Sequence, residues 1–268
     1  MKPVVALLTD FGTRDHYVGA MRGVILGICP DATLVDITHD IPPQDVTTAA
    51  LELAAAYGFF PAGTVFLCVV DPGVGSSRKA LAAGAGGHRF VAPDNGLLSS
   101  VFRQTPPTRV VELTEPKYAR PDVSRTFEGR DRFAPAAAWL AAGVELTALG
   151  PSLATWETLS IPEPREENGQ LAGVIVRVDH FGNLVTNIDR LSFDRCVRGR
   201  SFQIVVADRP VARLVSTYSD ADAGIVCALF GSTDHLEIAV SGGSAADRLG
   251  LTRGAAVVVR FGVSNAKS

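Results

Sequence analysis

The chain has 268 residues, enough for one large domain or two modest ones with cores of their own. Hydrophobic residues make up 47% of it, yet no apolar run reaches the roughly 18 to 20 residues of a membrane span, so a membrane partner is not expected. A net charge of -3, with acids and bases interspersed, offers no basic face to a phosphate backbone and argues against nucleic acid.

The first half alternates strand and helix patterns. Val4 to Leu8 reads as a buried strand that begins almost at the N-terminus, without a basic region or a small-residue cleavage site, so no signal peptide is expected. Asp15 to Ile28 follows as a helix, with Tyr17, Met21, Val24, Ile25 and Ile28 at helical spacing. Thr33 to Ile37 is the second strand. Asp45 is placed to cap a helix through Leu51, Leu53 and Ala54, and Thr64 to Val70 is the third strand. Such a βαβαβ run with apolar strands predicts a doubly wound, mainly parallel sheet covered on both faces. Further strands are expected at Ala80 to Gly84, Arg89 to Ala92 and Arg109 to Leu113, then a helix from just after Arg130 through Trp139 to Ala142.

The polar, proline-bearing stretch 161–170 reads as a linker between an α/β domain, 1–160, and a smaller β domain, 171–268. Beyond it come short strands at Leu171 to Val178, Leu184 to Asn187, Ser201 to Val206, Ile225 to Phe230, Leu236 to Val240 and Ala255 to Arg260. Turns such as Asp208-Arg209-Pro210 and Gly242-Gly243 separate them, a pattern that predicts a mostly antiparallel barrel or sandwich. Cys29, Cys68, Cys196 and Cys227 are widely spaced with no CxxC pair. They read as free thiols acting as small hydrophobes, which points to a reducing, cytoplasmic setting.

Ligands of open parallel sheets bind beyond the carboxyl ends of the strands. Two loops there are rich in polar residues and glycine: Thr9-Asp10-Phe11-Gly12, followed by Asp15, and Asp71-Pro72-Gly73-Val74-Gly75-Ser76-Ser77-Arg78. Either aspartate alone could simply cap a turn; two such loops on neighbouring strand ends favour a site. Gly73-Val74-Gly75 is no dinucleotide fingerprint, because the third glycine position holds Arg78 and no helix follows. Glu128, Arg130, Asp131 and Arg132 crowd before an apolar helix and, taken alone, read as a solvated helix start with Asp131 near its N-terminal dipole. Asp179-His180-Phe181-Gly182-Asn183 sets polar groups beside an aromatic, a mix that suits a purine pocket. A metal-dependent hydrolase built on Asp10, His39, Asp40 and Asp71 is disfavoured, since His39-Asp40 follows a different strand and no metal-ligand spacing is present.

These loops, with Tyr17-Val18-Gly19-Ala20-Met21, Ala92-Pro93-Asp94-Asn95-Gly96-Leu97-Leu98 and Thr126-Phe127-Glu128-Gly129-Arg130-Asp131-Arg132-Phe133-Ala134-Pro135, occur in one order across almost the whole chain. Together they resemble the S-adenosylmethionine (SAM) hydroxide adenosyltransferases, hydrolytic relatives of the fluorinase and chlorinase enzymes. The resemblance implies hydrolysis of SAM at C5' to adenosine and methionine, with SAM as substrate and no cofactor or metal. It also implies a homotrimer with active sites at subunit interfaces, each between the N-terminal domain of one subunit and the C-terminal domain of its neighbour. By the same resemblance Asp10 holds the ribose hydroxyls, Asp15 and Asp179 meet the methionine ammonium, Asn183 and Phe181 hold the adenine end, and Tyr218 lies against the nucleoside. Asp71 and Arg78 match the first two of an aspartate, arginine and histidine set around the attacking water.

The histidine of the family's Thr-Phe-His-Gly-Arg-Asp pattern is Glu128 here, and His88 and His180 lie outside that motif. Asp71 and Glu128 are therefore expected to flank the water, with Arg78 orienting and partly neutralising both. Two carboxylates oppose a halide nucleophile by Coulomb repulsion, and the insertion typical of the fluorinases is missing after Arg78, so SAM-dependent halogenation ranks behind hydrolysis. The alternative to turnover is a slow or non-catalytic binder of SAM or adenosine, with Glu128 as the reason.

Overall fold

Residues 2–262 are described by a computed structural model, in which the chain divides into two compact units, 1–160 and 161–268. The first unit runs β1 (Val4–Thr9), α1 (Tyr17–Ile28), β2 (Thr33–Thr38), α2 (Val46–Ala56), β3 (Val65–Val69), β4 (Ala80–Ala85), β5 (His88–Pro93), α3 (Ser99–Gln104), β6 (Arg109–Glu112) and α4 (Ala134–Ala141). The sheet order is β2-β1-β3-β5-β4-β6. β2, β1, β3 and β5 are parallel, and β4 pairs antiparallel with both β5 and β6, so β6 runs with the parallel strands and the sheet is mixed, with β4 alone reversed. The reason is local: Gly86-Gly87, both at positive φ, turn β4 directly back into β5 with no crossover helix between them.

Strand alternation sorts the apolar residues into two cores. Val5 and Leu7 face Met21 and Ile25 of α1 and the alanines of α4, while Ala6 and Leu8 face Leu53 of α2 and Val101 of α3. Each fully buried leucine or phenylalanine contributes about 1.5–3 kcal/mol. Because β1 and β3 are adjacent and parallel, the loops that leave their carboxyl ends, bearing Asp10 and Asp71, are neighbours.

The second unit comprises β7 (Arg165–Glu167), β8 (Gln170–Val178), β9 (Leu184–Asp189), α5 (Arg190–Val197), β10 (Phe202–Val206), β11 (Arg209–Pro210), β12 (Val226–Phe230), β13 (His235–Val240), α6 (Ala245–Leu249) and β14 (Ala256–Phe261). Its sheet is an antiparallel half-barrel of order β11-β10-β14-β8-β9-β13-β12, with β7 beside β8. It ends on β11 and β12 and is open, so of the barrel or sandwich expected from the strand spacing the antiparallel pairing is present and the curl is half a barrel. β8 makes the bend: its first half pairs with β14, and its second half pairs with β9 across a register shift. The stretch read as a linker contains β7, and its Pro162 carbonyl accepts a 2.8 Å hydrogen bond from Asn187 Nδ2. Residues 208–210, read as a turn, include the two residues of β11. All four cysteines are free and buried, and among the described residues no helix is long and apolar enough to cross a membrane.

Candidate active site

In the first unit Arg78 joins the two expected carboxylates. Its Nε donates to Asp71 Oδ1 at 2.9 Å and its Nη2 to Asp71 Oδ2, a bidentate pair, while the same Nη2 reaches Glu128 Oε2 at 2.7 Å. The side chains of Asp71, Arg78 and Glu128 are only 5%, 11% and 13% exposed. Burial opposes the charge on Arg78, but hydrogen bonds and charge from Asp71 and then Glu128 outweigh it and raise the guanidinium above its usual value. The Arg78 guanidinium also lies 5.1 Å from the centroid of the buried Phe133 ring.

Two local devices assemble this group. The loop after β3 doubles back at Gly75 (φ 76°), where a Cβ would strike the Arg125 carbonyl, so only glycine lets the two loops meet. Ahead of α4, residues Gly129–Phe133 form a π-helical turn, a widened geometry often found at functional sites. It carries Glu128 at its entrance and Phe133 at its end, and both contact Arg78.

Asp131 within that turn is not part of a solvated helix start. It is fully buried, takes Arg130 Nε at 2.7 Å and Arg120 Nε at 3.1 Å on Oδ1, and accepts from the Ser124 backbone N–H at 3.0 Å. Burial pushes its pKa up, but Arg130, the Ser124 N–H and Arg120 more than reverse this, holding it below the usual carboxylate range. Local spacing misreads Asp131 because its second arginine, Arg120, comes from eleven residues upstream.

Asp10 is half-buried and accepts the Gln44 N–H at 2.8 Å, whereas Asp15 is exposed on the turn into α1. Phe11, Tyr17 and Phe127 pack their rings together with centroids 5.0–5.9 Å apart, an aromatic wall beside Asp10 and Glu128 in the chain. His39 is buried and bonded to the Thr9 hydroxyl at 2.8 Å; among the described residues no group of three or more His, Cys, Asp or Glu side chains could hold a metal.

The second unit presents the other expected residues. Asp179 Oδ1 accepts the N–H groups of Phe181 and Asn183 at 2.9 and 2.8 Å, and its Oδ2 accepts Asn183 Nδ2 at 2.8 Å. Gly182 (φ 81°) closes the turn against Ser244, where a side chain would collide. Phe181 is left 75% exposed, which is costly for an aromatic unless something covers it. Tyr218 donates to Glu237 Oε2 at 2.8 Å, and its phenol is pushed up by burial and by Glu237. Burial likewise raises Glu237, which Asp179 reinforces and Tyr218 opposes. Glu237 is absent from the sequence reading; its signal is a lone acid among the apolar residues of β13.

Residues 5–150 match the SAM hydroxide adenosyltransferase N-terminal domain, and residues 173–258 match the C-terminal domain of the same family. The chain belongs to the SAM hydroxide adenosyltransferase family. An (R)-S-adenosyl-L-methionine hydrolase from Salinispora tropica is 39% identical over 255 residues, covering 94% of this chain and 95% of its own. Another from Thermus thermophilus is 38% identical over 262 residues, covering 95% and 98%. A fluorinase from an Actinoplanes species is 32% identical over 253 residues, covering 82% and 84%. The crystal structure of an uncharacterized conserved protein from Thermotoga maritima superposes with a TM-score of 0.90 at 35% identity, covering 96% and 99%. In this member of the family the first unit brings Asp71, Arg78 and Glu128 into one hydrogen-bonded group. The second ties Asp179, Phe181 and Asn183 into one turn.

Proposed function

We propose that this protein hydrolyses SAM by direct attack of water on C5', releasing adenosine and methionine. The observation that carries the reading is the Asp71–Arg78–Glu128 group, two carboxylates clamped by one guanidinium in a poorly solvated setting. The sulfonium leaves as the neutral thioether of methionine, so the chemistry needs alignment and an activated water more than leaving-group assistance. As the water oxygen bonds to C5' and the C5'–S bond breaks, one water proton passes to a carboxylate of the group. Arg78 orients Asp71 and Glu128 and spreads their charge. Inversion at C5' is the expected stereochemistry.

Asp10 binds the ribose hydroxyls, Asp15 and Asp179 the methionine ammonium, Phe181 and Asn183 the adenine, and Tyr218 the nucleoside face. The exposure of Phe181 supports its part, since a flat exposed ring suits stacking on a base. The acceptor pair argues against halide, which two carboxylates repel. The protein uses no cofactor or metal, and it acts in the cytoplasm, a setting supported by four free buried thiols. It assembles as a homotrimer with its active sites at subunit interfaces. The first sheet is read as doubly wound, with α1 and α4 on one face and α2 and α3 on the other.

The test is product analysis. Purified protein is incubated with each sulfonium epimer of SAM, because the hydrolases it resembles are named for the (R) form. Parallel reactions contain excess chloride, fluoride or EDTA. Adenosine and methionine, with no 5'-halogenated nucleoside and no effect of chelator, support hydrolysis. Binding without turnover moves the binder reading to the front, and Glu128 becomes its cause.

A further inference from the structure

Glu128 brings a second carboxylate to a group that holds one guanidinium, a surplus negative charge that a neutral histidine there would not bring. A second cation stands beside it. Arg132 follows Glu128 by four residues across the π-helical turn, and its Nε lies 3.6 Å from Glu128 Oε2. That Nε is buried and has no hydrogen-bond partner, while Nη1 of the same guanidinium is fastened to the Leu113 carbonyl at 3.0 Å. The fastening holds the guanidinium beside Glu128.

The other charged groups nearby are already engaged. Arg130 is paired with Asp131 and lies over the Phe127 ring, 5.1 Å from its centroid, and Arg120 is also on Asp131. From the loop after β3, Asp71 shares Arg78 with Glu128; on the β4 side Lys79 faces Glu112 at 3.6 Å. From the start of α1, His16 meets the edge of Phe127 with ring centroids 6.4 Å apart. Arg132 is thus the cation that brings the group to two carboxylates and two guanidiniums.

Resting on the hydrolase reading above, we infer that Arg132 is a positioning residue that balances the charge of Glu128 and holds its carboxylate on Arg78. Glu128 and Arg132 then act as one unit where the family pattern has histidine. Arg132 acts through Glu128 and has no part of its own in bond making.

The experiment follows the Glu128 side-chain carboxyl by carbon-13 NMR during a pH titration of substrate-free protein, with Glu128→Gln to assign the signal. Wild type, Arg132→Gln and Arg132→Lys are compared. Glutamine removes the charge together with the long arm that reaches the Leu113 carbonyl, lysine keeps the charge, and thermal melting checks that each variant is folded. Loss of the neighbouring cation is expected to raise the titration midpoint in Arg132→Gln, and Arg132→Lys to return it towards wild type. The acid limb of the turnover profile moves the same way, and Arg132→Gln has little further effect on turnover in a Glu128→Gln background. An unmoved midpoint, or an equal loss of turnover in both backgrounds, overturns the pairing and leaves Arg132 a tether for Leu113. If the midpoint moves but wild type releases no adenosine, the hydrolase reading fails and the pairing stands.

Discussion

In the first unit Asp71, Arg78 and Glu128 hold one another by charge, so the position of each depends on the others. In the second unit Asp179 meets no cation at hydrogen-bond distance in its turn. Three donors from Phe181 and Asn183 occupy it instead, and they shape the loop that exposes Phe181. An ionised carboxylate offers about four acceptor sites, so Asp179 keeps room for a ligand cation after making its turn. Under the proposed function the contrast separates two tasks: a first constellation that moves a proton and tolerates no missing charge, and a second that grips the substrate and whose parts can be removed one at a time.

The sharpest break is Arg78→Met. It leaves Asp71 and Glu128 facing each other with little solvent, and removing one partner of a buried ion pair costs about 3–5 kcal/mol. Thermal melting should fall steeply and adenosine release should drop at least about a hundredfold. A variant that melts like wild type would show that the group is not held by charge.

Next in size is Asp131→Asn, with an expected loss of about 2–3 kcal/mol near neutral pH. Asp131 has a depressed pKa in the folded state, so its stabilisation is present above the usual carboxylate range and disappears as pH falls through the folded value. Urea unfolding as a function of pH should show the gap between variant and wild type closing on acidification. Glu237 in the second unit predicts the opposite slope. Its folded pKa is raised, chiefly by burial, so its contribution weakens stability as pH rises from the unfolded towards the folded value. Glu237→Gln should flatten that decline, and equal slopes for the two variants would erase the contrast between the units.

Phe181→Ala should leave stability nearly unchanged, because the ring is already 75% exposed. It should raise KM about five- to tenfold through lost stacking, on the order of 1 kcal/mol, with kcat preserved. Steady-state kinetics decide this, and a loss confined to kcat would take Phe181 out of the grip and into the chemistry.

Periodicity made most of the molecule legible. Continuous apolar runs mark β1 and β3 and helical spacing marks α1, and Asp45 caps α2 by accepting the Thr48 N–H, as its position before the helix implied. Three short helices escaped because six to eight residues or fewer carry too little period: α3, α5 and α6. The antiparallel return of β4 into β5 hinges on Gly86 and Gly87, which propensity cannot distinguish from an ordinary loop. The site was legible as an inventory, since Asp71, Arg78 and Glu128 stand in recognisable blocks. Of its wiring, the link of Arg78 to Asp71 and Glu128 was expected from the family pattern, whereas Arg120 to Asp131 and Tyr218 to Glu237 are contacts between distant positions that no motif marks. Arg132 was visible as one charge in a crowded run, and only the π-helical turn reveals which neighbour it serves.

The most direct test of the account is the fate of solvent oxygen. SAM is turned over in oxygen-18 water and the products are resolved by mass. Water attack at C5' predicts one heavy oxygen in the 5'-hydroxyl of adenosine and none in methionine. Label in the amino-acid fragment, or methylthioadenosine in place of adenosine, would contradict attack at C5' and remove the role assigned to Asp71, Arg78 and Glu128.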